Sequence, residues 1–241
     1  MAKLLIVKTG TTVPSVKARR RDFDTWIKTG MGWDSGGFEV VHVHLGDALP
    51  AVAELGDGDG IVITGSPDKV TDRAPWSERT AAWIADAAQT VTPMLGICYG
   101  HQLIAHALGG EVVDNPHGRQ IGTTDITLTE EGKTDALFGG LGEVLHVPVS
   151  HVQSVAALPD GARLLGTTEG DPHHAFAIGD HIWGMQCHPE FDSSIVRGYI
   201  EERSAAIASE GLDPDALSRD CIDSADGTLL LRHFADRVRR R

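Results

Sequence analysis

The segment Pro93-Met94-Leu95-Gly96-Ile97-Cys98-Tyr99-Gly100-His101-Gln102 runs from a short apolar stretch, through a cysteine with a glycine two positions to either side, into a helical pattern. Leu103, Ile104, Ala107 and Leu108 continue that pattern, and Gly109-Gly110 closes the helix. A strand that turns sharply into a helix lifts the corner residue above the sheet edge, and crowding there demands small residues on both sides. Gly96 and Gly100 meet that demand. The helix aims its N-terminal amides at the sulfur, which favours thiolate over thiol. The same amides suit an oxyanion, so the Tyr99 N–H is an expected donor. The other reading of Cys98 is a small buried hydrophobe at a tight turn, and the rest of the chain decides between the two.

Working outward, residues 4–7 form a continuous apolar run of the buried-strand kind, and residues 38–45 and 60–64 predict two further strands. Residues 17–29 are polar with Phe23, Trp26 and Ile27 at helical spacing. Trp76, Trp83, Ile84, Ala87 and Ala88 recur on one helical face after Pro75, a favoured helix start. The order strand-helix-strand-strand-helix-strand-helix predicts an α/β fold with a central, mostly parallel sheet flanked by helices on both faces. From residue 111 the pattern changes. β-like runs at 121–129, 144–149, 163–168, 174–178 and 182–187 predict strands that extend the sheet and wrap back over it. Residues 193–208 read as a helix, Asp213-Pro214 opens a polar segment, and residues 229–238 form a last amphipathic helix. No repeat, low-complexity tract or long linker divides the chain. It reads as one domain over 1–241, with its core over about 1–200 and a C-terminal helical extension over about 201–241.

The strand at 182–187 ends in His188-Pro189-Glu190. Pro189 stiffens the turn, so His188 and Glu190 keep fixed relative positions. A carboxylate that accepts from one imidazole nitrogen sets the tautomer and supports the imidazolium form, leaving the other nitrogen for the sulfur. Alone, the tripeptide reads as a surface turn; at the end of a later strand of the same sheet it completes a nucleophile, a proton carrier and an orienting group. Thr64-Gly65-Ser66-Pro67 ends the third strand beside the elbow. A glycine there lets backbone approach a substrate, so the amides of Gly65 and Ser66 are candidates for the second oxyanion donor.

Hydrophobic residues make up 41% and charged residues 23% of 241, as expected for a globular protein. A formal net charge of −13 argues against nucleic-acid binding. Arg19-Arg20-Arg21 and the basic residues of 237–241 read as a solvated helix face and a frayed terminus. Three cysteines, Cys98, Cys187 and Cys221, are too few for a disulfide framework and predict a reducing compartment, the cytoplasm. Cys187 alternates to the face opposite His188 and reads as packing. The N-terminal run is too short for a signal peptide, and no stretch approaches the roughly 20 apolar residues of a membrane helix. His42, His44, His173 and His174 lack the cysteine or carboxylate pattern of a metal site. Asp34-Ser35-Gly36-Gly37-Phe38 precedes a strand and reads as a turn rather than a phosphate loop. Gly56-Asp57-Gly58-Asp59-Gly60 opens no helix and is no dinucleotide fingerprint. Neither a cofactor nor a metal is expected.

Taken together, Gly96-Ile97-Cys98-Tyr99-Gly100-His101-Gln102 and Gln186-Cys187-His188-Pro189-Glu190, with Gly65-Ser66-Pro67 and Ser150-His151, resemble the class I glutamine amidotransferases and their Cys-His-Glu triad. The resemblance covers roughly residues 1–200. It is strongest to free-standing domains similar to the amidotransferase part of GMP synthase. It implies a flavodoxin-like sheet and hydrolysis of glutamine. Cys98 would attack the side-chain amide, Tyr99, Gly65 and Ser66 would hold the oxyanion, and His188, oriented by Glu190, would move the proton. Gln102, Ser150 and His151 match segments that shape the glutamine pocket. With no synthetase module in the chain, a separate synthetase subunit is the implied partner.

Two positions depart from the family pattern. Gln153 stands where an aspartate is usual, and Gln120 where glutamate is common; Ser66 in place of a second glycine is a milder change. Either glutamine alters how a substrate amino group is held. A stand-alone hydrolase of other γ-glutamyl compounds is therefore a second reading, and an idle regulatory or binding module a third, which the intact Cys-His-Glu set opposes.

Overall fold

Apolar runs with no polar face can only be satisfied between two layers, and the runs near residues 4–7, 60–64 and 93–97 become interior strands of one sheet. The computed structural model describes residues 2–34, 36–56 and 58–240. Met1, Ser35, Asp57 and Arg241, which fall in the N-terminal run, the two glycine-containing turns and the basic tail, lie outside the described residues.

The first half contributes β1 (Lys3–Lys8), α1 (Pro14–Arg20), α2 (Phe23–Gly30), β2 (Gly37–His42), β3 (Gly60–Ile63), α3 (Pro75–Ala87), β4 (Met94–Ile97) and α4 (Tyr99–Ala107). The second half contributes β5 (Glu111–Asp114), β6 (Gln120–Leu128), α5 (Glu130–Thr134), β7 (Val144–His151), β8 (Gln153–Ala157), β9 (Ala162–Thr168), β10 (Asp171–Ile178) and β11 (Ile182–Met185). The helices α6 (Ser193–Glu202), α7 (Ser204–Ser209), α8 (Pro214–Asp220) and α9 (Asp226–Arg239) follow. The main sheet has the order β2-β1-β3-β4-β11-β10-β9-β6-β7. From β2 to β11 every pairing is parallel; from β11 to β7 every pairing is antiparallel. β5 and β8 pair separately as an antiparallel ribbon.

Period-2 alternation splits the strand side chains between two cores. Leu4, Ile6, Val62, Leu95 and Ile97 face α2, α6 and α9, while Leu5, Val7, Ile61, Ile63 and Met94 face α3 and α4. Helix α9 lies against the sheet so closely that a side-chain carbon on Gly60 would sit 2.5 Å from Val238. None of the described helices is long and apolar enough to cross a membrane.

Several boundaries differ from the sequence expectation, each for a local reason. The helical stretch 17–29 breaks in two where Arg21 takes a φ of 74° and Asp22 caps α2. The strand expected over 38–45 ends at His42, and residues 43–45 wind into a single 3-10 turn closed by Gly46 at a φ of 100°. The helix expected over 193–208 breaks at Arg203. The ribbon β5–β8 and the one-turn helix α5 are short elements without a clear periodicity, and sequence patterning misses them.

The parallel half positions the site. β4 and β11 are neighbours in register, Ile97 beside Met185, so the residues after them emerge together at the carboxyl edge of the sheet. Open α/β sheets characteristically bind ligands at that edge.

Candidate active site

Cys98 adopts φ 51° and ψ −101°, a conformation costly for any residue with a side chain. It is held there from two sides: Cys98 N donates to the Met185 carbonyl at 2.9 Å, and Gly100 N donates to the Thr64 carbonyl at 3.1 Å. A side-chain carbon at Gly96 would lie 2.5 Å from the Gly100 carbonyl oxygen, and one at Gly100 would lie 2.3 Å from that of Ile63. Glycine is required at both places because backbone fills the space. Tyr99 is the first residue of α4, so its N–H has no carbonyl partner within the helix. Its phenol is anchored 2.6 Å from Ser77 Oγ and stacks on Trp76. Burial pushes that hydroxyl up to about 12, so it serves as a neutral strut.

His188 N donates to the Pro148 carbonyl at 2.8 Å, tying the end of β11 to β7. His188 Nδ1 lies 2.8 Å from Glu190 Oε1, and the imidazole and the Cys98 sulfur line the same cavity. Phe191 stacks on the ring at 4.0 Å, and Phe23 lies near-parallel to both, 6.1 Å from the imidazole centroid. The ring's edge abuts Gly65, where a side-chain carbon would sit 2.8 Å from His188 Cε1. Burial works against charge on the imidazole, yet the Glu190 carboxylate and the Cys98 sulfur outweigh it and raise the pKa well above the ordinary histidine range. The second Glu190 oxygen, Oε2, is buried without a hydrogen-bond partner.

The loop after β3 is pinned by Thr9, whose hydroxyl donates to the Thr64 and Gly65 carbonyls at 2.9 and 3.1 Å. A cavity of about 310 Å³ opens above Cys98. Ser66, Tyr99, Gln102, Ser150, His151 and His188 line it, while Gly65 and Glu190 lie behind His188. Gln102 Nε2 donates to Gln186 Oε1 at 2.9 Å and to the Gln153 carbonyl at 3.0 Å. Cys98 Sγ is 3.9 Å from the Ser150 carbonyl. His151 Nδ1 donates to the Gln153 carbonyl at 2.9 Å, and burial lowers that imidazole to about 4, so it stays neutral.

The departures from the family pattern have visible consequences. The Gln153 side chain accepts from Val70 N at 2.9 Å and donates to Thr71 Oγ1 at 2.7 Å and Asp114 Oδ1 at 3.0 Å. It is a buried brace for the pocket wall. Gln120 sits opposite His151 in the β6–β7 pairing, outside the cavity lining.

Sequence reasoning missed two arginines of this wall, Arg119 and Arg203. Arg119 is clamped by both carboxylate oxygens of Glu210 at 2.8 Å. Arg203 stands at the break between α6 and α7, with its guanidinium over the Tyr199 ring and Nη1 3.2 Å from Ser150 Oγ. No periodicity marks such a break, so the sequence carries no signal for it. Phe191, adjacent to His-Pro-Glu, was readable as a neighbour of the imidazole.

One histidine expectation is corrected. His174 does have a carboxylate beside it: Asp171 Oδ2 lies 3.3 Å from His174 Nδ1, and with His151 the three ligand-type atoms fall within 4.8 Å of one another, all buried. By type and separation these are the described residues able to accommodate a metal ion. The i,i+3 spacing of 171 and 174 was the sole hint, and His151 joins them through the fold.

Residues 35–204 match the glutamine amidotransferase class-I family. The chain is 30% identical over 222 residues to a GMP synthase (glutamine-hydrolyzing) of Porphyromonas gingivalis, covering 91% of this chain and 38% of that protein. It is 32% identical over 178 residues to gamma-glutamyl peptidase 3 of Arabidopsis thaliana, covering 71% of this chain and 68% of that one. The crystal structure of a glutamine amidotransferase from Thermotoga maritima shares the fold, with a TM-score of 0.75 over 99% of both chains at 20% identity. The chain spans less than two thirds of the length of the first curated relatives it matches.

Proposed function

The chain belongs to the class-I glutamine amidotransferases, and on that premise we propose that it hydrolyses the side-chain amide of glutamine through a thioester on Cys98. The observation that carries this reading is the convergence of the three residues: the Glu190 carboxylate lies 2.8 Å from His188 Nδ1, and His188 and Cys98 line one cavity. In this mechanism the Cys98 thiolate attacks the amide carbon, and the carbonyl oxygen becomes an oxyanion held by the amides of Tyr99 and of the Gly65–Ser66 loop. The imidazolium of His188 gives its proton to the departing nitrogen, so ammonia leaves and a γ-glutamyl thioester remains. Water then attacks that thioester, His188 takes its proton, and glutamate leaves with the thiolate restored. Gln102, Ser150 and His151 shape the pocket around the glutamyl group. Glu190 keeps His188 in the tautomer and charge state that both half-reactions use.

Ammonia released in this way is passed to a separate synthetase subunit, and the reaction takes place in the cytoplasm, where three unpaired cysteines stay reduced. Residues 1–241 act as one domain, its C-terminal segment supplying Arg203 to the pocket wall. A second reading, cleavage of γ-glutamyl peptides or conjugates, is favoured by Gln153, which spends its side chain on the wall instead of presenting a carboxylate to a substrate amino group.

Steady-state release of ammonia and glutamate tests the proposal. Cys98→Ala is expected to lower kcat by at least about 10³-fold, and equal rates for the two proteins would reject the nucleophile. A panel of glutamine, γ-glutamyl dipeptides and γ-glutamyl anilides separates the two readings by their kcat/KM.

A further inference from the structure

The wall of the cavity is unevenly charged. Arg119 carries its own counterion, because Glu210 engages it with two hydrogen bonds of 2.8 Å. Arg203 carries none. It is partly buried, its hydrogen bond goes to the neutral Ser150 hydroxyl, and its guanidinium carbon lies 5.1 Å from the Tyr199 ring centroid. Among the described residues no carboxylate pairs with it; its neighbour Glu202 is exposed. A guanidinium taken out of water is normally matched by an anion, and one left unmatched at a cavity wall is a binding feature.

Its position relative to the nucleophile is set by a single residue. The Ser150 carbonyl lies 3.9 Å from Cys98 Sγ, and the Ser150 hydroxyl lies 3.2 Å from Arg203 Nη1. The sulfur and the guanidinium therefore face the same cavity from the two ends of Ser150. A γ-glutamyl group spans about 5 Å from its reacting carbonyl carbon to its α-carboxylate by ordinary bond lengths, and a charge-assisted hydrogen bond adds about 3 Å. A group of that length fits between a sulfur and a guanidinium that face one cavity from the two ends of Ser150.

We propose that Arg203, presented by the break between α6 and α7 and steadied by Ser150 and Tyr199, binds the α-carboxylate of the γ-glutamyl group and makes the site selective for substrates that carry it. The proposal rests on the γ-glutamyl reading of the site and adds the residue that recognises the substrate's charged end. The planar fork and the aromatic face beneath it specify arginine in particular, since an ammonium offers neither bidentate geometry nor stacking. Arg203 is a binding residue here; the chemistry stays with Cys98 and His188.

Covalent labelling tests this without requiring turnover. The probes are a chloroketone isosteric with glutamine, bearing a free α-carboxylate, and its α-methyl ester; the readout is the rate of adduct formation on Cys98 by mass spectrometry. Taking the ratio of acid to ester within each protein cancels any change in sulfur reactivity. The wild-type ratio is expected to be at least about tenfold, the discrimination a charge-assisted hydrogen bond supplies. Arg203→Met should bring the ratio to near unity, and Arg203→Lys should keep part of it. An unchanged ratio in Arg203→Met, or a wild-type ratio near unity, overturns the proposal. Failure of the underlying reading would look different: no release of glutamate from any γ-glutamyl compound and no protection of Cys98 by glutamine, whatever the ratio.

Discussion

The imidazole at position 188 is closely held, with Phe191 on one face, the Gly65 backbone at its edge and Glu190 on Nδ1, and it shares a cavity with Cys98. Because its pKa is raised, the charged form persists from acid pH through neutrality and is lost as the pH climbs through the elevated value. Activity that depends on the imidazolium therefore falls on an alkaline limb lying well above pH 7. Glu190→Gln keeps an acceptor beside Nδ1 but removes the charge. The alkaline limb of kcat/KM should then move to lower pH by at least about one unit, with kcat reduced about 10²-fold or more. A limb that stays in place would show that the carboxylate's charge is not what supports the proton. At this scale much was readable. The pattern of Gly96, Cys98, Gly100, His188 and Glu190 announces itself because it is local to a few adjacent residues. Arg203 did not, because its role depends on what lies opposite it, and Gln153 was visible as a departure but not as a brace.

Elements show the same division. Asp22 caps α2 one residue after the C-cap of α1: its Oδ1 accepts from Thr12 N at 3.0 Å and Phe23 N at 2.9 Å, and its Oδ2 lies 2.9 Å from the buried Lys8 ammonium. Burial raises its pKa, but these donors and Lys8 outweigh that, and the net shift is downward. A depressed carboxyl pKa adds stability that is fully present above the unfolded value and disappears as pH falls through the folded one. Asp22→Asn is expected to cost about 2 kcal/mol at pH 7, with the difference from wild type shrinking below about pH 4, read by urea denaturation at several pH values. A pH-independent difference would mean that the amide fails as a cap rather than as a charge. In the sequence, the aromatic spacing of Phe23, Trp26 and Ile27 predicted a helix. The break before it was hidden, since a non-glycine residue at a φ of 74° leaves no mark in the side-chain pattern.

Across the whole molecule, the last helix closes one face of the sheet. Phe234 is fully buried and meets Trp183 of β11 edge to face, with ring centroids 6.2 Å apart. Since β11 leads to His188, α9 stabilises the strand that positions that imidazole. Phe234→Ala should destabilise the fold by about 3–5 kcal/mol, seen as a lower urea midpoint at unchanged m-value, while the folded fraction keeps its KM. An undiminished midpoint would mean that the helix is not part of the cooperative unit. By itself the sequence determined the α/β class, the buried parallel strands, the elbow and the residues that would sit on it, because these follow from short-range periodicity and from the sterics of neighbouring residues. Tertiary structure alone decided the antiparallel run from β11 to β7, the meeting of His151 with Asp171 and His174, and the arginine left without a counterion at the cavity wall. Those depend on which distant segments pack together, and a pairing energy between residues far apart in the chain leaves no period for a reader of the sequence to find.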